Sequence, residues 1–269
     1  MLRRLASAIV LLPVFLFLLI QAPDYLFDAL VAVVGALAIW ELTRMLQAAG
    51  RPVHRVLAVV AGAALIVAFG VSQPPDTFAL PAFVLALTVA AVLAAPLWRG
   101  LAPATEPAAH TVLAVSYVGW LLGYGVLLHH SVPHGDQLVL FVVGVTWIGE
   151  TMAYVVGSTF GRHKLAAVIS PRKTVEGAIA QVVASVLTGV GLGLWLLPAC
   201  GLATAVGGGA LLGVVGQAGD LAESVIKRSV GTKDTGGIIP GHGGVLDRID
   251  SLLFNLPAFY YFSRLVGCA

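Results

Sequence analysis

Residues 138–157 read L-V-L-F-V-V-G-V-T-W-I-G-E-T-M-A-Y-V-V-G, and S-T-F-G-R-H-K follows them. Glu150 is the only charged residue in this run, and Arg162 and Lys164 close it. About 20 apolar residues carry an α-helix across a bilayer. Similar runs recur along the chain, approximately at 5–21, 26–47, 56–72, 78–98, 111–130, 174–197, 202–222 and 250–267. With 138–157 they predict an all-α fold, a polytopic integral membrane protein of about nine transmembrane helices. Composition agrees. The chain is 59% hydrophobic and 10% charged, with mean hydropathy +0.97, whereas soluble domains carry roughly 25% charged residues. That leaves almost no room for a soluble domain, so residues 1–269 read as a single transmembrane domain.

The basic residues set the expected orientation. Arg3 and Arg4 precede the first run, and Arg44, Arg51 and Arg55 surround the second connection. Arg99 follows the fourth run, while Arg162, Lys164, Arg172 and Lys173 follow the sixth. Lys227, Arg228, Lys233 and Arg248 follow the eighth. The alternate connections contain no Lys or Arg, so of the chain's 15 basic residues only Arg264 falls on the other side. Basic connections stay in the cytoplasm, which predicts a cytoplasmic N-terminus. M-L-R-R and the apolar run after it are read as an uncleaved first helix, since no small-residue cleavage site follows.

Gly189/Gly193 and Gly209/Gly213 have the spacing that lets membrane helices approach closely. They are expected to serve bundle packing. Two cysteines, Cys200 and Cys268, are too few and too distant for a metal framework. Both map to the outer side, where a disulfide between them is open.

Charge is concentrated in Ser224–Asp250, which reads S-V-I-K-R-S-V-G-T-K-D-T-G-G-I-I-P-G-H-G-G-V-L-D-R-I-D. Lys227, Arg228, Lys233 and Arg248 can neutralise phosphate oxygens. Asp220 lies just upstream, Asp234 sits within the segment, and Asp247 and Asp250 share a helix face at a spacing of three. Carboxylates with few nitrogen or sulfur competitors favour Mg²⁺. Glycines such as Gly243 and Gly244 let backbone N–H groups approach a phosphate. These are the parts of a phosphoryl- or nucleotidyl-transfer site, where positioning and charge neutralisation supply most of the catalysis. A loop that merely binds anionic headgroups would explain the cations but not the interleaved aspartates.

A second cluster extends the site. Glu150 lies inside an apolar run, where a carboxylate is costly and faces a cavity or a partner. Ser170, Arg172, Lys173 and Thr174 precede the seventh run, whose N-terminus favours an anion. Glu41 is expected to pair with Arg44 one helical turn away. His129, His130 and His134 fall on the outer side, away from this chemistry.

The 224–250 segment, with its Ser, Lys-Arg, Lys-Asp, His-Gly-Gly, Asp-Arg and final Asp, resembles the signature of the CDP-diacylglycerol synthases, or phosphatidate cytidylyltransferases. A-Y-x-x-G in the sixth run and I-S-P-x-K-T-x-E-G after it resemble the same family. Glu150 stands where that family usually has Asp, and Arg172 where Lys is common. The resemblance implies CTP and inner-leaflet phosphatidate as substrates, CDP-diacylglycerol and pyrophosphate as products, Mg²⁺ dependence with a second cation left open, and a homodimer. It implies a multi-pass protein of the bacterial inner-membrane type with its site on the cytoplasmic face, and no nucleic-acid partner. By the family pattern Asp220 and Asp247 are metal ligands, with Asp250 and Glu150 as further candidates. Lys227, Arg228, Lys233 and His242 belong to the active site.

The phosphatidate phosphate is expected to attack the CTP α-phosphorus. A phosphate monoester is already largely ionised, so relief of repulsion between polyanions matters more than a general base. The catalytic segments are expected at 147–177 and 217–250, with Ser170, Arg172, Lys173, Thr174, Ser224, Gly243 and Gly244 on substrate. A membrane CTP-dependent lipid or polyprenol kinase and a nucleotide or phosphate transporter are the alternatives. The first would release CDP. The second would need charges deep in several spans.

Overall fold

A computed structural model of the chain describes residues 12–72, 74–99, 104–131, 133–237 and 243–268. It is built almost entirely of helices. After a helical stretch over 12–20 come α1 (Asp24–Ala48), α2 (Arg55–Val71), α3 (Ala79–Ala94), α4 (Thr105–His129) and α5 (Gly135–Phe160). A hairpin of β1 (Lys164–Ala166) and β2 (Ser170–Thr174) follows, then α6 (Val175–Leu196), α7 (Gly201–Ser229) and α8 (Leu246–Leu265). Each expected run coincides with helix among the described residues. Five helical segments are long and apolar enough to cross a membrane: α1, α4, α5, α6 and Pro198–Ser229, which contains α7. The chain is thus a multi-pass membrane protein. The α2 and α3 helices are apolar but shorter, at 17 and 16 residues. The α8 helix carries Asp247, Arg248 and Asp250 in its first turns. The antiparallel hairpin was not anticipated. It pairs Lys164 with Thr174 and Ala166 with Ser170.

The chain divides into two units: residues 1–127 with 230–248, and residues 128–229 with 249–269. In the first unit, α2 and α4 cross at glycines. A Cβ on Gly119 would lie 3.1 Å from the Gly62 Cα. Phe69 of α2 packs edge-on against Trp120 of α4 at 5.3 Å, beside Tyr124.

In the second unit, α6 and α7 pack backbone to backbone along the expected glycine stripe. A Cβ on Gly189 would meet the Gly209 Cα at 2.9 Å, and one on Gly209 would meet the Ser185 carbonyl at 2.6 Å. Gln217 of α7 donates to the Ala178 carbonyl of α6 at 3.0 Å. Asn255 of α8 donates to Thr146 of α5 at 2.8 Å, and Phe259 stacks on Phe141 at 5.0 Å. Cys200 and Cys268 form a disulfide, which answers the question their positions left open.

Candidate active site

The second unit assembles a carboxylate cluster at the C-terminal part of α7. Asp220 and Glu223 are three residues apart, hence on one helix face, and Asp250 comes from α8. One carboxylate oxygen from each lies within 4.8 Å of the other two. Gly219 makes this possible, since a Cβ there would lie 2.8 Å from the Asp250 carbonyl and 3.1 Å from the Ser251 Cα. Without a side chain at 219, α8 approaches α7 closely enough to bring Asp250 against Asp220. Glu150 of α5 is near enough to act electrostatically on Asp250. Glu223 is fully buried and Asp250 is 9% exposed.

Two lysines edge the cluster. The Lys173 ammonium, from β2, lies 2.7 Å from Asp220 Oδ2. Lys227, one turn beyond Glu223, forms a buried ion pair with it. Three carboxylates, two of them buried, thus share two ammonium groups, and burying like charges this close is unfavourable unless a cation shares them. An all-oxygen donor set of this kind suits a hard divalent cation such as Mg²⁺, so these residues fit the metal implied by the sequence. Asp220, Glu223 and Asp250 would hold it.

The hairpin is tied to the same helix end. Arg228 Nε donates to the Ile169 carbonyl at 3.0 Å, which gives Arg228 a positioning contact besides any contact with phosphate. The Thr174 hydroxyl caps α6 by accepting from the Gly177 N–H at 3.2 Å. Ser170 is half-buried, Arg172 is exposed and Ser224 is buried.

The remaining predicted residues that the structure describes lie in the first unit. Asp247 Oδ2 accepts from the backbone N–H groups of Gly244, at 3.0 Å, and Thr235, at 3.3 Å. One oxygen of this expected ligand therefore ties Thr235 and Gly244 to the first turn of α8. Gly243 has φ +85°, a left-handed conformation natural to glycine. Lys233, Asp234 and Arg248 are exposed, and the Asp234 carbonyl accepts from the Thr232 hydroxyl. A cavity of about 570 Å³ lies between the end of α1 and this loop, lined by Trp40, Glu41, Arg44, Thr232, Asp234 and Gly236 among others. His242 lies outside the described residues.

Two acidic residues have structural or site roles that the motif reading did not assign. Glu223, immediately before the motif serine, completes the cluster. Its i+3 relation to Asp220 was the available signal. Glu41, expected beside Arg44, is 1% exposed, and its Oε2 accepts from the Leu246 N–H at 3.0 Å. That contact joins α1 to the first turn of α8 within the first unit.

A family model described as "Cytidylyltransferase family" matches residues 2–266. The chain is 39% identical over 158 residues to a Staphylococcus saprophyticus protein named phosphatidate cytidylyltransferase, covering 56% of each chain. A protein of the same name from Staphylococcus aureus (strain COL) is 37% identical over 158 residues, with the same coverage. The uncharacterized protein YnbB of Escherichia coli (strain K12) is 41% identical over 154 residues, 57% of this chain and 50% of that protein. These matches thus span about half the length of the curated relatives.

Proposed function

The chain belongs to the cytidylyltransferase family, and on that premise we propose that it is a phosphatidate cytidylyltransferase. It joins the phosphate of phosphatidate to the α-phosphorus of CTP, giving CDP-diacylglycerol and pyrophosphate. The observation that carries this reading is the Asp220–Glu223–Asp250 cluster with Lys173 and Lys227 at its edges. Two relatives named phosphatidate cytidylyltransferase support the choice of substrate.

In this reading a bound Mg²⁺ supplies Lewis-acid neutralisation of phosphate charge. The chain's residues do the rest. Lys173 and Lys227 offset the charge of two polyanionic substrates while holding Asp220 and Glu223 in place. Arg228 holds the hairpin carrying Lys173 against the end of α7, so Lys173 is presented in one orientation. Lys233, Asp234, His242 and Arg248 act with the loop ordered by Asp247, and Asp247 and Glu150 are further candidates for contact with a cation. Ser170, Arg172, Thr174, Ser224, Gly243 and Gly244 complete the substrate-binding set.

The proposal includes nine spans, a cytoplasmic N-terminus, a homodimer in a bacterial inner-type membrane, and a site on the cytoplasmic face. Two independent features support that face. The basic residues fall on alternate connections. The Cys200–Cys268 disulfide sits 20 residues before Asp220, about 30 Å along a helix, which is the thickness of the hydrocarbon core. Disulfides persist on the oxidising side of a membrane, which leaves the cluster on the reducing side.

The test supplies purified protein with labelled CTP and phosphatidate, with and without Mg²⁺. Label in the lipid phase together with released pyrophosphate is expected only with Mg²⁺. Release of CDP with a phosphorylated lipid would replace this reading with a kinase, and no lipid-soluble cytidine label would end it.

A further inference from the structure

The segment between α5 and α6 has a feature that phosphate chemistry does not use. It reads G-R-H-K-L-A-A-V-I-S-P-R-K-T over residues 161–174. Its middle, Leu165 to Ile169, is uncharged and apolar. At the turn, Val168 is 92% exposed, and Leu165 is 38% exposed. Arg162, His163 and Lys164 stand on one shoulder of this tip, and Arg172 and Lys173 on the other. Among the described residues, no ion pair engages the side chains of Arg162, Lys164 or Arg172.

An isolated two-stranded hairpin is marginal in water, but this one is fastened at several points. The Val175 N–H donates to the His163 carbonyl at 2.9 Å. The Glu176 carboxylate accepts from the backbone N–H groups of Arg162 and His163 and lies 2.6 Å from His163 Nδ1. Arg228 holds the Ile169 carbonyl, and Lys173 pairs with Asp220. Glu176, the acidic residue nearest the tip in sequence, is therefore spent on the hairpin's own base. The tip is held out with Leu165 and Val168 uncovered and its shoulders positive.

The chain leaves α5 at Phe160 and enters α6 at Val175, and both helices are long and apolar enough to cross a membrane. Fourteen residues joining two such ends stay close to the membrane surface. A small apolar projection flanked by Lys and Arg is the pattern of an interfacial segment, whose apolar part enters the headgroup boundary while its cations meet anionic lipid. We infer that the 164–174 hairpin docks its Leu165–Ile169 tip into an anionic leaflet of the membrane the chain itself spans, with Arg162, Lys164 and Arg172 on lipid phosphates. This inference requires membrane insertion but not cytidylyl transfer. If both hold, the docked hairpin gathers anionic lipid beside Lys173.

The test measures depth rather than turnover, so it can fail or succeed independently of the proposed activity. Cys200 and Cys268 are the chain's two cysteines and are joined to each other, so Val168→Cys provides a single labelling site. The full chain, carrying a fluorophore at position 168, is reconstituted into phosphatidylglycerol-rich vesicles and into pure phosphatidylcholine vesicles, with iodide present on both sides. In the anionic vesicles we expect blue-shifted emission, quenching by a nitroxide carried on the lipid headgroup, and iodide quenching several-fold below that of the free dye. In phosphatidylcholine the protection should weaken, and R162Q/K164Q should bring the anionic value down to that level. Full iodide quenching without lipid-nitroxide quenching in both vesicles would overturn the docking. Equal protection in the two lipids would overturn the choice of anionic lipid.

Discussion

Glu223→Gln isolates the charge of one cluster member at constant shape. Its carboxylate oxygen lies within 4.8 Å of those of Asp220 and Asp250. At an effective dielectric of about 20, two unit charges at that distance interact by about 3 kcal/mol. That term is a repulsion which Glu223→Gln relieves, and it offsets part of the attraction to a shared divalent ion that the substitution removes. Loss even of an outer-shell partner of a metal ligand typically costs 10–100-fold in affinity, about 1.4–2.7 kcal/mol, and the Mg²⁺ half-saturation should rise by at least that factor. The same substitution strips Lys227 of its buried partner, and breaking such a pair costs about 3–5 kcal/mol. The two effects separate in the assay. Mg²⁺ titration read by thermal shift, with Mn²⁺ as a paramagnetic reporter, measures cation affinity without turnover. The E223Q/K227M double variant removes the orphaned ammonium, so it should recover thermal stability but not cation affinity. Folded E223Q with unchanged Mg²⁺ half-saturation would refute the placement of Glu223 around the cation.

Three further outcomes follow from the geometry. Asp220→Asn should abolish CDP-diacylglycerol formation with an unchanged size-exclusion profile, and near-normal turnover would remove Asp220 from the site. Glu41→Ala takes the acceptor from the buried Leu246 N–H; hydrogen bonds to charged groups contribute about 1.5–3 kcal/mol, so the melting temperature should drop by several degrees, and an unchanged value would deny the clasp. Gly209→Val forces a Cβ to within 2.6 Å of the Ser185 carbonyl, and overpacking costs about 1–3 kcal/mol. Gly191→Val, where nothing lies within 4 Å of an added Cβ, is the matched control and should cost far less in a denaturation series.

Helix positions were legible in the sequence because hydropathy is a local property: a run such as 138–157 must bury its backbone polar groups in its own hydrogen bonds to cross lipid. The glycine stripe of α6 and α7 was legible for a similar reason, since its period belongs to each helix alone. The charged segment and the Asp220 just before it likewise singled out three residues, Asp220, Lys227 and Asp250, that the structure brings to one cluster. The hairpin escaped notice because β1 and β2 are only three and five residues long, too short for an alternating pattern to stand out.

Other assignments depended on which surfaces meet. For Glu41 the sequence shows only neighbours one turn away, such as Arg44; that its carboxylate reaches Leu246, 205 residues on, was not visible there. Asp247 has the residue type of a metal ligand, but the fold of its loop brings two amides onto one of its oxygens. Gly219 lets the Asp250 backbone approach α7, and that contact gathers Asp220, Glu223 and Asp250. The sequence by itself determined that this chain crosses a membrane and where its charge is concentrated, because hydrophobicity and charge are properties of residues. Which carboxylates gather into one cluster, which backbone amides Asp247 accepts from, and which cysteines join were decided by tertiary structure alone, because those depend on distances of a few ångströms between distant segments.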